Sequence, residues 1–252
     1  MNVAPGSAPL MSAMGYAVLG SGKRIRPVLS LRIARLLGAL TPVTMQAAIS
    51  VELFHAASLI IDDLPCMDDD DFRRGQPSVH RKYGEATAIL AAFGLVSLGA
   101  RSLIDPTAPD RMKPMLADFQ RRLLAVLDCS GLLGGQALDL GICGPAGGTA
   151  LATELKTAPL FELSARAGTL AATISDDDAE LLHRFGRRLG IAFQLVDDVL
   201  DGQSAEPGAA VEMLQEASGM LRAYGSEAGP LHEIVDLLRN KLEGAVLEHY
   251  AA

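Results

Sequence analysis

The chain has 252 residues, 49% of them hydrophobic and 21% charged, which is ample for a sizeable core in one large domain or two small ones. A net charge of −8, no tryptophan and only four tyrosines argue against a nucleic-acid surface, which needs cations and stacking platforms. The three cysteines, Cys66, Cys129 and Cys143, are odd in number and lack zinc-ligand spacing, so they are expected to be reduced thiols rather than a disulfide framework.

Residues 1–22 carry no charge, are broken by glycine and proline, and have no basic start, so they do not read as a signal peptide. The longest strongly apolar uncharged run, residues 86–100, is too short to cross a bilayer. The expectation is a cytoplasmic protein with no transmembrane segment. Apolar residues then recur at helical spacing nearly throughout, as in Val28, Leu29, Leu31, Ile33, Leu36 and Leu37, followed by Val51, Leu53, Phe54, Leu59, Ile60 and Ile61. Breaks are expected at Pro27, 38–42, 105–109, 141–148, 175–178 and 202–208, with further helices over 209–224 and 231–250. The sum is an all-α chain of roughly eight to ten helices. The glycine-rich stretch 141–148 follows no strand and precedes no Gly-Lys-Ser/Thr, so it reads as a connection and not a phosphate loop.

Two acidic clusters stand out. The first is Asp62-Asp63-Leu64-Pro65-Cys66-Met67-Asp68-Asp69-Asp70-Asp71; the second is Asp197-Asp198-Val199-Leu200-Asp201. Aspartate runs often serve only as solvated loops or helix starts. Asp197 and Asp201, however, are four apart and share a helix face inside apolar text, where a carboxylate needs a partner. Mg²⁺ is such a partner, because it is held by a few carboxylates together with substrate phosphates. Cations for those phosphates occur in Gly22-Lys23-Arg24-Ile25-Arg26-Pro27, in Arg73-Arg74 and in Lys156-Thr157. Together they suit a diphosphate, with arginine as a fork and lysine as a point charge.

These segments, with Glu52-Leu53-Phe54-His55, Gly84-Glu85-Ala86-Thr87, Gly134-Gly135-Gln136-Ala137-Leu138-Asp139-Leu140 and Phe193-Gln194-Leu195-Val196, resemble the trans-isoprenyl diphosphate synthases, also called polyprenyl synthetases. The motifs run in that family's order over about residues 15–202, most like its short bacterial geranylgeranyl- and farnesyl-making members. The resemblance implies one domain over 1–252 with an isoprenoid-synthase helical bundle around a central cavity. It further implies a Mg²⁺-dependent condensation of isopentenyl diphosphate with an allylic diphosphate, and a homodimer. By the same resemblance Asp62, Asp68 and Asp197 are metal ligands, with Asp63, Asp198 and Asp201 beside them. Lys23, Arg26, His55 and Arg74 match the isopentenyl diphosphate pocket; Arg73, Lys156, Thr157 and Gln194 match the allylic side.

The chain departs from the family in three places. No lysine occurs between Lys156 and Lys241, where members usually carry a lysine loop after the second acidic motif. Ala91-Ala92-Phe93 replaces a frequent Ala-Gly-Asp, and Ile61 stands where a histidine is common. Two other functions stay open at this point: a degenerate homologue acting as a regulatory or partner subunit, and a class I terpene cyclase. The cyclase predicts an Asn/Ser/Glu metal motif in place of residues 197–201. Small Ala57, one turn before Ile61, leaves room beneath the first acidic motif where farnesyl-making relatives tend to place an aromatic, so a C20 product is expected.

Overall fold

Residues 7–143, 150–202 and 207–251 are described by a computed structural model in which nearly all regular structure is helical. In chain order the helices are α1 (Ala8–Leu19), α2 (Ile25–Leu36), α3 (Pro42–Asp62), α4 (Val79–Tyr83), α5 (Glu85–Ser102), α6 (Lys113–Ala125), α7 (Leu132–Asp139), α8 (Ala150–Thr169), α9 (Asp176–Leu200), α10 (Pro207–Met220) and α11 (Gly229–Ala251). A 3₁₀ stretch, Leu221–Ala228, joins the last two. The expected all-α class holds. The described residues carry more helices than the periodicity predicts, because α4 and α7, of five and eight residues, are too short to show a repeat. The expected connection at 141–148 and the acidic segment at 202–208 lie mostly outside the described residues.

Helix ends follow local chemistry. The Thr41 hydroxyl accepts from the Thr44 amide at 3.3 Å, and Pro42 opens α3, where a missing N–H costs nothing. Ser175 caps α9 through the Asp178 amide at 3.1 Å, and Asp176, Asp177 and Asp178 complement the helix dipole there. Helix α2 begins at Ile25 rather than at Pro27, since proline is tolerated anywhere in a first turn.

Helices α2, α3, α8 and α9 enclose the centre. The largest apolar cluster joins Leu29 and Ile33 of α2, Phe161 of α8, Leu182, Phe185 and Leu189 of α9, Leu214 of α10, and Val235 and Leu238 of α11. Close approach of α8 and α9 depends on two glycines. A Cβ at Gly186 would meet the Phe161 carbonyl oxygen at 2.7 Å, and one at Gly190 would meet the Ala158 Cα at 3.0 Å. That approach brings Thr157 on α8 against Gln194 on α9, with the hydroxyl donating to Oε1 at 2.8 Å.

By length and composition α3 would qualify as a membrane span, a possibility that a search for uncharged runs misses because Glu52 and His55 interrupt it. Here 56% of its most apolar window is buried against the other helices, as in a core helix.

Candidate active site

The first acidic cluster leaves the C-terminal end of α3 and folds back on itself. The Asp68 amide donates to the Asp62 carbonyl at 2.9 Å, and Asp69 sits in the left-handed region at φ 55°. A two-residue hairpin, β1 (Phe72–Arg73) with β2 (Gln76–Pro77), then returns the chain toward α3. Arg73 thereby donates from Nε to Asp63 at 2.8 Å and from Nη2 to both Asp63 and Asp70. Burial opposes the charge on Arg73, but these carboxylates outweigh it and raise its pKa. Asp63 is only 2% exposed and is spent on this pair.

The segment between α1 and α2 is held by arginines. Arg24, at φ 49°, donates to Glu52 at 2.7 Å and to the carbonyls of Val18 and Gly20. Arg74, also left-handed at φ 55°, donates to the Ser21 carbonyl at 3.1 Å. Its guanidinium lies so close to Gly22 that a Cβ there would stand 2.3 Å from Nη1. Two non-glycine residues at positive φ on adjoining segments are backbone strain held at a prospective binding site.

Beside them Arg26 is buried, stacked 4.6 Å over the Phe161 ring, with its Nη1 3.0 Å from His55 Nε2. An arginine is a donor only, so His55 Nε2 accepts and the neutral ring carries its proton on Nδ1. Burial lowers Arg26 to about 10; burial and then the cations Arg26, Arg74, Arg73 and Arg24 hold His55 well below 6.5. The Arg26 Nε is buried without a partner. Arg26 itself lines the space between these cations, and a guanidinium fork there suits an anion.

The facing wall comes from α7, α8 and α9. Lys156 donates to Asp139 at 2.6 Å, and Gln136 donates to Asp68 at 3.1 Å. Gln194 donates to Asp198 at 2.9 Å. Asp62 is pushed up to about 6 by burial, with Asp68 adding to the shift and Lys156 opposing it. Burial also raises Asp197, against the attraction of Lys23 and Lys241.

Between the walls lies a cleft of about 800 Å³. It is lined by every residue given a metal or diphosphate role from sequence, Lys23, Arg26, His55, Asp62, Asp68, Arg73, Arg74, Lys156, Thr157, Gln194, Asp197 and Asp201, except Asp63 and Asp198. Those two face partners of their own, Arg73 and Gln194. A second cavity of about 460 Å³ meets the cleft at Ser58, Asp62 and Lys156 and is otherwise almost wholly apolar. Ala57, Ile61, Met67, Ala92, Phe93 and Leu133 line it.

No three carboxylate, histidine or cysteine side chains among the described residues converge into a closed metal cage. The donor set nevertheless fits a hard divalent cation that binds through one or two carboxylates and ligand phosphates: it is all oxygen, and the buried Asp62 resists ionising alone. A cation there would relieve that resistance. The groups that sequence reasoning left without a role are Glu52, Gln136 and Asp139, which hold Arg24, Asp68 and Lys156. Acidic Glu52 in an apolar helix, and the spacing of Gln136 and Asp139 at i, i+3, were the available signals.

The chain is similar to known proteins. A family model described as "Polyprenyl synthetase" matches residues 7–210. The chain is 40% identical over 196 residues to the heterodimeric geranylgeranyl pyrophosphate synthase large subunit 1, chloroplastic, of Arabidopsis thaliana, covering 75% of this chain and 53% of that one. It is 39% identical over 196 residues to a chloroplastic geranylgeranyl pyrophosphate synthase of Capsicum annuum, covering 75% and 52%. The chain thus spans about half the length of the curated relatives it matches. Among solved structures it is similar to the geranyltransferase of Legionella pneumophila, with TM-score 0.84, 30% identity and coverage of 95% and 90%. An FPP/GFPP synthase of Zymomonas mobilis gives TM-score 0.85, 29% identity and coverage of 94% and 90%. Since the matched stretch runs through both acidic clusters and every helix that frames the cleft, the chain belongs to the polyprenyl synthetase family.

Proposed function

We propose that the protein is a Mg²⁺-dependent prenyltransferase that joins isopentenyl diphosphate to an allylic diphosphate and releases a C20 product, geranylgeranyl diphosphate. The observation that carries this proposal is the junction of the two cavities: an ion-lined cleft opens at Ser58, Asp62 and Lys156 into an apolar one. A diphosphate head and a growing hydrocarbon tail need that pairing, and few other ligands do.

Asp62, Asp68 and Asp197, with Asp201 nearby, would hold Mg²⁺, which when bound neutralises charge on the allylic diphosphate. Arg73, Lys156, Thr157 and Gln194 would bind and orient that group. Breaking its carbon–oxygen bond leaves a diphosphate anion and an allylic cation, so fixed positive charge lowers the barrier where negative charge develops. Lys23, Arg26, His55 and Arg74 would hold isopentenyl diphosphate so that its alkene carbon attacks the cation. The proton lost from the adduct passes to the released pyrophosphate. Phe193 and the apolar wall keep water from the cation.

Ala57, 3% exposed on the apolar cavity, leaves space for a tail beyond C15. The names of the plant relatives support C20, and two copies pair through apolar side chains that α5 and α6 leave exposed, including Leu90, Phe93 and Leu124. The test is incubation with labelled isopentenyl diphosphate and each of the C5, C10 and C15 allylic diphosphates, with and without Mg²⁺. Elongation that requires Mg²⁺ is expected. A protein that binds these substrates and elongates none of them would instead fit a partner subunit.

A further inference from the structure

The first acidic cluster is unevenly supplied with cations. Asp63 and Asp70 share Arg73, and Asp71 pairs with Arg81 at 3.0 Å. Asp62 and Asp68, the two members that line the cleft, have no such ion pair among the described residues. A cation is nevertheless at hand, since Lys156 shares with Asp62 the junction where the cleft meets the apolar cavity. Its ammonium is held instead by Asp139 of α7 at 2.6 Å, a carboxylate that lines neither space.

Helix α7 is shaped for this hold. It packs on α8, where a Cβ at Gly135 would stand 3.0 Å from both the Cγ and the amide nitrogen of Lys156, so glycine there leaves the lysine stem its place. Asp139 follows one turn later on the same face of α7. Gln136, three residues before Asp139, donates from Nε2 to Asp68 at 3.1 Å. One short helix thus holds a cation through one residue and a cleft carboxylate through another. A lysine has three N–H donors, so the bond to Asp139 leaves two for a ligand. Without Asp139 the same flexible side chain would be free to close on Asp62 or Asp68, because opposite charges at a half-buried site attract when neither has another partner. Such a pair would occupy the oxygens that a divalent cation needs.

Resting on the prenyl diphosphate reading above, we propose that Asp139 is a positioning residue that keeps Lys156 off Asp62 and Asp68, so that the acidic wall stays open to Mg²⁺ while the ammonium waits beside it for the diphosphate. Asp139 acts through the lysine alone. Its removal should therefore weaken Mg²⁺ only while residue 156 is a lysine.

The test is the Mg²⁺ concentration that half-saturates binding of a non-ionising thio analogue of an allylic diphosphate, read by calorimetry, with circular dichroism confirming the fold. Asp139→Asn and Asp139→Ala should each raise that midpoint about tenfold, as loss of a group that orients metal ligands does, and Asp139→Glu should recover most of the loss. The Lys156→Met background binds the analogue more weakly but keeps an unbranched stem for packing, and adding Asp139→Asn to it should leave the midpoint where it is. A merely structural role for Asp139 would not depend on the side chain at 156. An unchanged midpoint in either folded single variant, or an equal rise in the Lys156→Met background, would overturn the proposal and leave the prenyltransferase reading intact. A wild type without Mg²⁺-dependent binding of the analogue would overturn both.

Discussion

The two cavities that meet at Asp62 are built on opposite principles. In the polar cleft several cations already have a carboxylate partner: Arg73 has Asp63 and Asp70, Arg24 has Glu52, and Lys156 has Asp139. The partners fix each side chain and leave selected donors, such as the buried Nε of Arg26, unspent. The apolar cavity is shaped by packing: its volume is what Ala57, Ala92, Phe93 and Leu133 leave between them. The first region should therefore fail by loss of a charge, the second only by a change of volume.

The largest effect expected is at the acidic walls. Asp62→Ala or Asp197→Ala should abolish Mg²⁺-dependent binding of a diphosphate analogue and lower kcat by roughly 10²-fold or more, with helix content unchanged. Calorimetry and circular dichroism on the same samples check this. Unaltered Mg²⁺-dependent affinity in both variants would remove the metal site from the cleft.

A smaller effect is expected for a substitution that keeps charge but loses shape. Arg26→Lys should raise KM for isopentenyl diphosphate about tenfold, equal to about 1.4 kcal/mol, because a point charge cannot reproduce a guanidinium fork. The same change should leave product length alone. A shifted product in Arg26→Lys would break the division between the two regions.

The smallest effect is a pH dependence confined to the polar cleft. Burial and the surrounding arginines hold folded His55 well below its ordinary 6.5, so below that pH the unfolded chain binds a proton that the folded chain refuses. This part of the stability is complete above the unfolded value and is lost as pH falls. Urea unfolding at pH 7.5 and at pH 5.5 should show His55→Gln less acid-sensitive than wild type. A variant at Ala57 should keep the wild-type dependence.

The same contrast explains what could be seen in the sequence. Asp62, Asp197 and the cation segments were legible because charge at helical spacing inside apolar text has few stable uses. Asp63 and Asp198 were not separable from their neighbours, since adjacent helical residues differ only by a rotation that tertiary packing decides. The helices were legible from periodicity, whereas α4, α7 and the short hairpin are too brief to carry any. Phe93 showed only as a departure from a familiar motif. Its place on a cavity wall depends on α5 and α7 bordering the same space.

The central claim is that the polar cleft makes the bond and the apolar cavity measures the product. Chromatography of dephosphorylated products from wild type and Ala57→Tyr, with the initial rate of the first condensation recorded for each, tests it most directly. The added ring should fill the space under Asp62, at a packing cost of roughly 1–3 kcal/mol, without touching the groups that hold the diphosphates. The predicted result is a C20 product from wild type, a product stopped near C15 from the variant, and little change in the first rate. A wild type that stops at C10 or C15, or a variant that still makes C20, would contradict the account.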